Sequence, residues 1–391
     1  MCSEREMRER EACLELSRLE MLRGDEKERR PRANPSLVVK RYKRPAAGDA
    51  PPPRSELRPL HVLQRTAEHL LRLWESRTDQ PPLYRYLFIS DRLRAVQQDI
   101  TVQGIGPAAA PLLGMCVRFH LLMEVEFFDL RDASEQGYSA VQNRSLLCNA
   151  LISALEFTTA LPEALFSELL AYLVLLHADN PAVFTQEIVR APVEVLSSAP
   201  VKQALRLASA ISRKDMVDVS RVLHNASLLV IASVIRFFPE MQTLVLSQCN
   251  AAYNARELFP CQVLAQRLFL KSPSSASSCA IDHNLKVEGV TGPGDMRSEE
   301  GSSAEALPIN VGLEASAAAG PGVRFKSNAL VRREAINQIS LGTYVFDVLG
   351  EWRRTFPKLP GEGEMEEGVG ASVSAHSEWA WRLMSVSMDA L

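Results

Sequence analysis

The sequence predicts an all-α fold: a helical-repeat solenoid ending in a winged-helix subdomain with a short β wing. Three observations lead there. From Leu57 to about Asn250 the apolar residues recur at helical spacing, with almost no period-two alternation. Short breakers cut that stretch into blocks, the texture of stacked helix pairs. After Phe259 the order becomes helix, helix, strand, strand.

The first element, residues 1–56, is expected to be a basic extended arm. Its opening, "MCSEREMRERE", is charged from the fourth residue and has no apolar h-region, so it does not read as a secretory signal. From Lys27 to Arg58 ten Lys or Arg face three acids, and "KRYKR" sets Lys40, Arg41, Lys43 and Arg44 within five positions. Pro45 and Pro51 to Pro53 keep the following stretch extended.

Residues 57–252 form the predicted helical domain. In "LRPLHVLQRTAEHLLRLW" the residues Leu60, Leu63, Ala67, Leu70, Leu71 and Trp74 share one helix face, while Arg65, Glu68 and Arg72 occupy the other. Further blocks are expected at about 83–103, 108–130, 143–158, 163–177, 200–212, 214–223, 226–238 and 240–252. "GIGP", Asp179 to Pro181 and "APVEVLSSAP" separate them. No strict sequence period is present, so any repeat is structural.

In residues 253–335, "LFPCQVLAQRLFL" and "SSASSCAIDHNL" read as helices, and "LKVEGV" and "GVRFKSNALV" as strands. Between the strands, about 289–321, lies a Gly-, Ser- and Ala-rich insertion expected to be disordered. Residues 336–391 read as helical and then as an acidic, Gly-rich tail; from Gly361 onward it carries six acids against one base, Arg382.

Composition limits the function classes. A formal net charge of -3 with 23% charged residues argues against a uniformly basic nucleic-acid coat. Seven cysteines without a C-x-x-C pair fit thiols in a reducing compartment. The run "PLLGMCVRFHLLMEVEFF" is broken by Arg118, His120 and Glu124, and "SLLVIASVIRFF" is too short to span a bilayer, so no membrane role is expected. On that expectation the sequons at Asn143 and Asn225 stay unmodified.

No nucleophile elbow, P-loop or H-E-x-x-H is present, and "GIGPAAAPLLG" lacks the third glycine and preceding strand of a dinucleotide fingerprint. His120, between Phe119 and Leu121, is expected to be a hydrogen-bonded core histidine, and Cys116 and Cys148 small core side chains. Neither a catalytic residue nor a cofactor, metal or small-molecule substrate is expected. The enzyme alternative requires perturbed titratable groups in a pocket near His120 or Asp99.

Five stretches, "MCSEREMRERE", "VVKRYKRPAAG", "SELRPLHVLQRTAEHLL", "FISDRLRAVQQDIT" and "CVRFHLL", occur in the order and spacing of a known family. The chain resembles the SAC-three/GANP family in them, strongly over about residues 1–130 and more loosely through "FPCQVLAQRLF" to "GVRFKSNAL". Ser3 stands where the family has proline. The resemblance implies a TPR/PCI-like scaffold of the TREX-two messenger-RNA export complex in the nucleus, at the nuclear pore or in the nucleoplasm. It implies a PCI-domain partner, a small acidic proteasome-lid-type protein, RNA held weakly with the partner, and centrin in the larger members. Short members suggest the alternative of a centrosomal or spindle role in the cytoplasm.

Three sets of candidate residues follow. Val38, Lys40, Tyr42 and Arg44 match the family motif and are expected along the helical core with Tyr42 buried; the whole "KRYKR" set, Lys40, Arg41, Lys43 and Arg44, fits a localisation signal or, equally, a solvated basic segment. Lys271, Lys286, Arg324, Lys326, Arg332 and Arg333 cluster around the wing and suit backbone phosphates, although exposed cations also keep surfaces soluble. For partner binding the candidates are Phe237, Phe238 and Met241, where internal packing competes, and Trp381, Met384 and Met388 at helix-in-groove spacing.

Overall fold

The computed structural model describes residues 1–22, 30–46, 48, 52–130, 137–157, 161–253, 258–270, 272–283, 285–288 and 322–324. The wing insertion, the segment from 336 and the acidic tail lie outside these residues. The chain is mostly helical, as the periodicity predicts, and divides into two compact units. One comprises residues 1–212 with 226–235, the other 213–225 with the described residues from 236 to 324.

In the first unit the arm is not extended throughout. It holds α1 (Glu4–Ala12), whose N-cap Ser3 accepts the Glu6 N–H at 3.2 Å. The next helix, α2 (Leu60–Ser76), buries the predicted stripe of Leu63, Ala67, Leu70, Leu71 and Trp74. α3 (Pro82–Gln103) opens on a proline and closes on Gly104, whose φ of 65° turns the chain and returns its N–H to the Ile100 and Thr101 carbonyls. Gly106 begins α4 (Gly106–Glu126) directly against the Phe157 ring, where an added Cβ would sit 2.0 Å from ring carbons. Both glycines of "GIGP" therefore have a geometric reason.

α5 (Ala140–Leu155), capped by Ser139, packs on α4. α6 (Glu163–Leu176) is apolar nearly all round and, like α4, is buried along its length. Two helices that the sequence did not suggest follow, α7 (Ala182–Arg190) and α8 (Val193–Ser197). Each buries a single side chain, Phe184 or Val195, so neither leaves an apolar stripe to be seen. α9 (Ala199–Ser212) then lies along α6.

α10 (Met216–His224) belongs to the second unit, with the Asp215 side chain accepting the Asp218 N–H at 3.1 Å. α11 (Leu228–Val234) returns to the first unit and packs on α4 and α6. The rest of the second unit is α12 (Phe238–Ala252), β1 (Phe259–Pro260), α13 (Cys261–Arg267), α14 (Pro273–Asp282), β2 (Lys286–Glu288) and β3 (Gly322–Arg324). The antiparallel sheet has the order β1-β3-β2, with Val323 fully buried opposite Val287 on one side and Phe259 on the other. β1 is an addition to the expected helix, helix, strand, strand order. Two residues, one of them a proline, carry no alternation to read.

Gly106–Glu126 and Leu228–Ala252 are long and apolar enough to cross a membrane by length and composition, which for the second is longer than the sequence suggested. Both are mostly buried within the chain.

Candidate functional site

The arm and the segment leading into α2 are fastened to α3 by two buried carboxylates, Glu20 and Asp99. Glu20, fully buried, accepts from Arg10 through both terminal guanidinium nitrogens, Nη1 and Nη2, from Arg92 Nη2 at 3.2 Å and from the Val39 N–H at 3.1 Å. Arg10 also donates to the Val39 carbonyl at 3.1 Å. Burial works against the Arg10 charge, and Glu20's hydrogen bonds and charge outweigh it and raise its pKa. Asp99, 1% exposed, takes Lys40 Nζ and Arg58 Nε, each at 2.7 Å. Cutting one partner from such a buried set leaves an uncompensated charge and costs about 3–5 kcal/mol.

This geometry divides the "KRYKR" residues. Lys40 is held by Asp99 and by the Glu56 carbonyl at 3.0 Å. The Arg41 backbone N–H is taken by Glu6 at 2.9 Å, and its guanidinium pairs with Glu15 at 3.1 Å in the open. Tyr42 is half-buried rather than buried, because it lies on the surface of α3 with the Arg94 guanidinium 3.9 Å above its ring. Lys43 and Arg44 are exposed.

A second buried polar cluster joins α4 to α5. The Asn143 side-chain NH2 donates to the His120 carbonyl at 3.0 Å and to Glu124 Oε1 at 2.7 Å. Its oxygen therefore accepts, from Tyr86 Oη–H at 3.1 Å and from His120 Nδ1 at 2.8 Å, which assigns the Nδ1–H tautomer. Burial drives the His120 pKa down to about 4, with the Asn143 contact opposing the shift. Asn143 is fully buried, so its sequon is not presented in the fold. Burial also pushes the Cys2 thiol up to about 11 and Cys116 to about 12, and no disulfide joins any of the seven cysteines.

In the second unit, Lys286 and Arg324 stand opposite each other across β2 and β3, and Lys286 is exposed. Lys271, Lys326, Arg332 and Arg333 lie outside the described residues, as do Trp381, Met384 and Met388. Phe237, Phe238 and Met241 are buried at 6%, 0% and 3% exposure, with Phe238 stacked on Phe269 at 5.1 Å. These three side chains thus serve the internal core of their own unit, because facing rings and a closed apolar environment take up the stripe. Among the described residues no three His, Cys, Asp or Glu converge as a metal-binding set.

Sequence reasoning missed Glu20, Arg10 and Arg92. Glu20 sits in an irregular loop where no periodicity marks a buried acid, and its partners lie 10 and 72 positions away.

The family model described as SAC3/GANP family matches residues 1–289. SAC3 family protein B of Arabidopsis thaliana is 24% identical over 275 residues, which cover 66% of this chain and 16% of that protein. SAC3 family protein 1 of Schizosaccharomyces pombe is 26% identical over 320 residues, covering 75% of this chain and 30% of its own length. The chain thus spans less than a third of either relative.

Proposed function

The chain belongs to the SAC3/GANP family, and on that premise we propose that it is a non-catalytic scaffold in nuclear messenger-RNA export, binding a PCI-domain partner and, with that partner, RNA. The observation that carries this reading is how the family-like segments are used. The stretches around Glu6, Val38 to Tyr42, Arg58 and Asp99 are tied to one another through buried carboxylates and backbone groups. Side chains arranged in this way fix a shape, which supports the scaffold reading.

In the second unit we read α13, α14, β2 and β3 as a winged helix. Its cross-strand pair Lys286 and Arg324 would meet phosphates without reading bases. For localisation, the cations that "KRYKR" turns outward are Arg41, Lys43 and Arg44. Neutralising Arg41 and Lys43 together is expected to deplete a tagged protein from the nucleus, and unchanged nuclear accumulation refutes the signal.

The deciding experiment is affinity purification of the tagged chain from its own cells in moderate salt, with mass spectrometry of what remains bound. A PCI-domain protein with a small acidic companion is the expected result, and recovery of centrosomal or spindle components without that pair replaces this reading. RNA binding is tested on the partnered complex at low salt, where charge reversal at Arg324 and Lys326 is expected to weaken affinity and flatten its salt dependence.

A further inference from the structure

A cleft of about 380 Å³ lies between α2 and the arm turn at residues 35–37. From α2 it is lined by Arg65, Glu68, His69 and Arg72, which at i, i+3, i+4 and i+7 share one face of the helix. From the arm it is lined by Ser36. Arg65 is exposed and has no ion pair among the described residues. Arg72, 65% exposed, meets Glu68, the one carboxylate in the cleft, only at 3.9 Å. Two guanidinium groups, each with five donors and no acceptor, thus share the space with a single acid, and their fork geometry suits an anion with several acceptor oxygens.

Ser36 is the residue on which such an anion can be built. It is exposed, and its turn is held in place from both sides of the cleft. The Ser36 N–H donates to Asn34 Oδ1 at 3.1 Å, and the Leu37 and Val38 N–H groups donate to the Asn34 carbonyl at 2.9 and 3.0 Å. His69 adds a hydrogen bond to the Leu37 backbone. The Ser36 hydroxyl donates to Asn34 Oδ1 at 2.6 Å, a bond that esterification gives up while the backbone bonds remain. Arg30 and Arg32, both exposed, precede the serine and give a kinase a basic pattern to read.

We propose that Ser36 is a phosphorylation site and that its phosphate docks in this cleft between Arg65 and Arg72, fastening the arm turn to α2. The inference does not rest on the export reading. The donor is a nucleoside triphosphate held by a protein kinase: the bond from the γ-phosphorus to the bridging oxygen breaks, the Ser36 Oγ–P bond forms, the leaving diphosphate keeps the electron pair, and the hydroxyl proton passes to the kinase's base. The product carries about −1.5 to −2 charges at pH 7 and three strong acceptor oxygens, enough to give each guanidinium a charge-assisted bond. Arg65 and Arg72 are about 10 Å apart along the helix, so a phosphate midway stands about one turn from either, the separation at which helix side chains pair.

The test has two parts. Phosphopeptide mapping of the tagged full-length chain from its own cells, lysed with phosphatase inhibitors, is expected to find Ser36 phosphorylated, and its absence overturns the proposal. The full-length chain with genetically encoded phosphoserine in place of Ser36 is then titrated by phosphorus NMR at low salt. Neighbouring cations favour the dianion, so the second ionisation of the phosphate is expected to move from about pH 6, its value when free, to about pH 5. Glu68, His69 and the Met1 amino group also line the cleft, and the arginines are isolated from them by substitution. Arg65→Gln with Arg72→Gln keeps much of the aliphatic stems and returns the midpoint to about pH 6. Arg65→Lys with Arg72→Lys keeps the charges and retains part of the fall, while Glu68→Gln removes the competing acid and deepens it. Exchange at the Leu37 and Val38 amides is expected to slow roughly fivefold on phosphorylation of the parent and to stay unchanged in the glutamine pair. A midpoint near pH 6 in the phosphorylated parent, or the same midpoint in parent and glutamine pair, overturns the docking.

Discussion

At the scale of single residues the fold depends on charges that have been taken out of water. Glu20→Gln preserves shape but removes the counter-charge of Arg10 and Arg92. The expected loss is about 3–5 kcal/mol, read as a lower urea midpoint. His120 acts through pH. Its folded pKa of about 4 lies below the unfolded 6.5, so between those values the unfolded chain binds the extra proton. The neutral ring's contribution is complete above pH 6.5 and is lost as pH falls toward 4, by about 3 kcal/mol. His120→Gln is expected to flatten that part of the stability profile, and a variant whose profile parallels the parent's between pH 4 and 6.5 refutes the assignment. Glu20 was invisible in the sequence and His120 half visible, for one reason: a core histidine announces itself by apolar neighbours, while Asn143, which satisfies it, is 23 positions away.

Elements were legible where burial is one-sided or where, as in α4 and α6, a long apolar run is buried on every side. α2 shows its stripe because one face meets the core and the other, with Arg65 and Arg72, meets solvent. α7 and α8 fail that test because each buries one side chain. α1 was missed for the opposite reason. It is charged on all sides, and its nine residues are too few to be stable as an isolated helix. Tertiary ties hold it, notably Glu6 to the Arg41 amide. Glu6→Ala leaves that amide unpaired, at about 1–3 kcal/mol, and should speed hydrogen exchange at Arg41 and through α1. Ser272→Ala offers the contrast, since it removes the cap whose oxygen accepts the Ser275 N–H at 3.2 Å. About 1 kcal/mol is expected there, with faster exchange confined to the first turn of α14.

For the whole molecule, the helical blocks and their breakers were readable, but the allocation of those blocks between two units was not. α10 and α11 are neighbours in sequence and belong to different units, because side chains far away decide which core receives each helix. α11 meets α4 and α6, whereas α10 meets α13. Each unit therefore has a core that can be damaged separately. Phe238 is fully buried on Phe269 in the second unit, and Phe238→Ala is expected to cost about 3–5 kcal/mol there. Followed by hydrogen exchange in every element, that variant should raise exchange in α12, α13 and α14 while α2 to α6 keep the parent's rates, and Glu20→Gln should do the reverse. Such separation is expected because opening proceeds in contiguous cooperative units whose stability rests on their own buried contacts. Uniform acceleration across all helices by either variant would show that the chain opens as one cooperative body, and the division by contacts would then have no counterpart in stability.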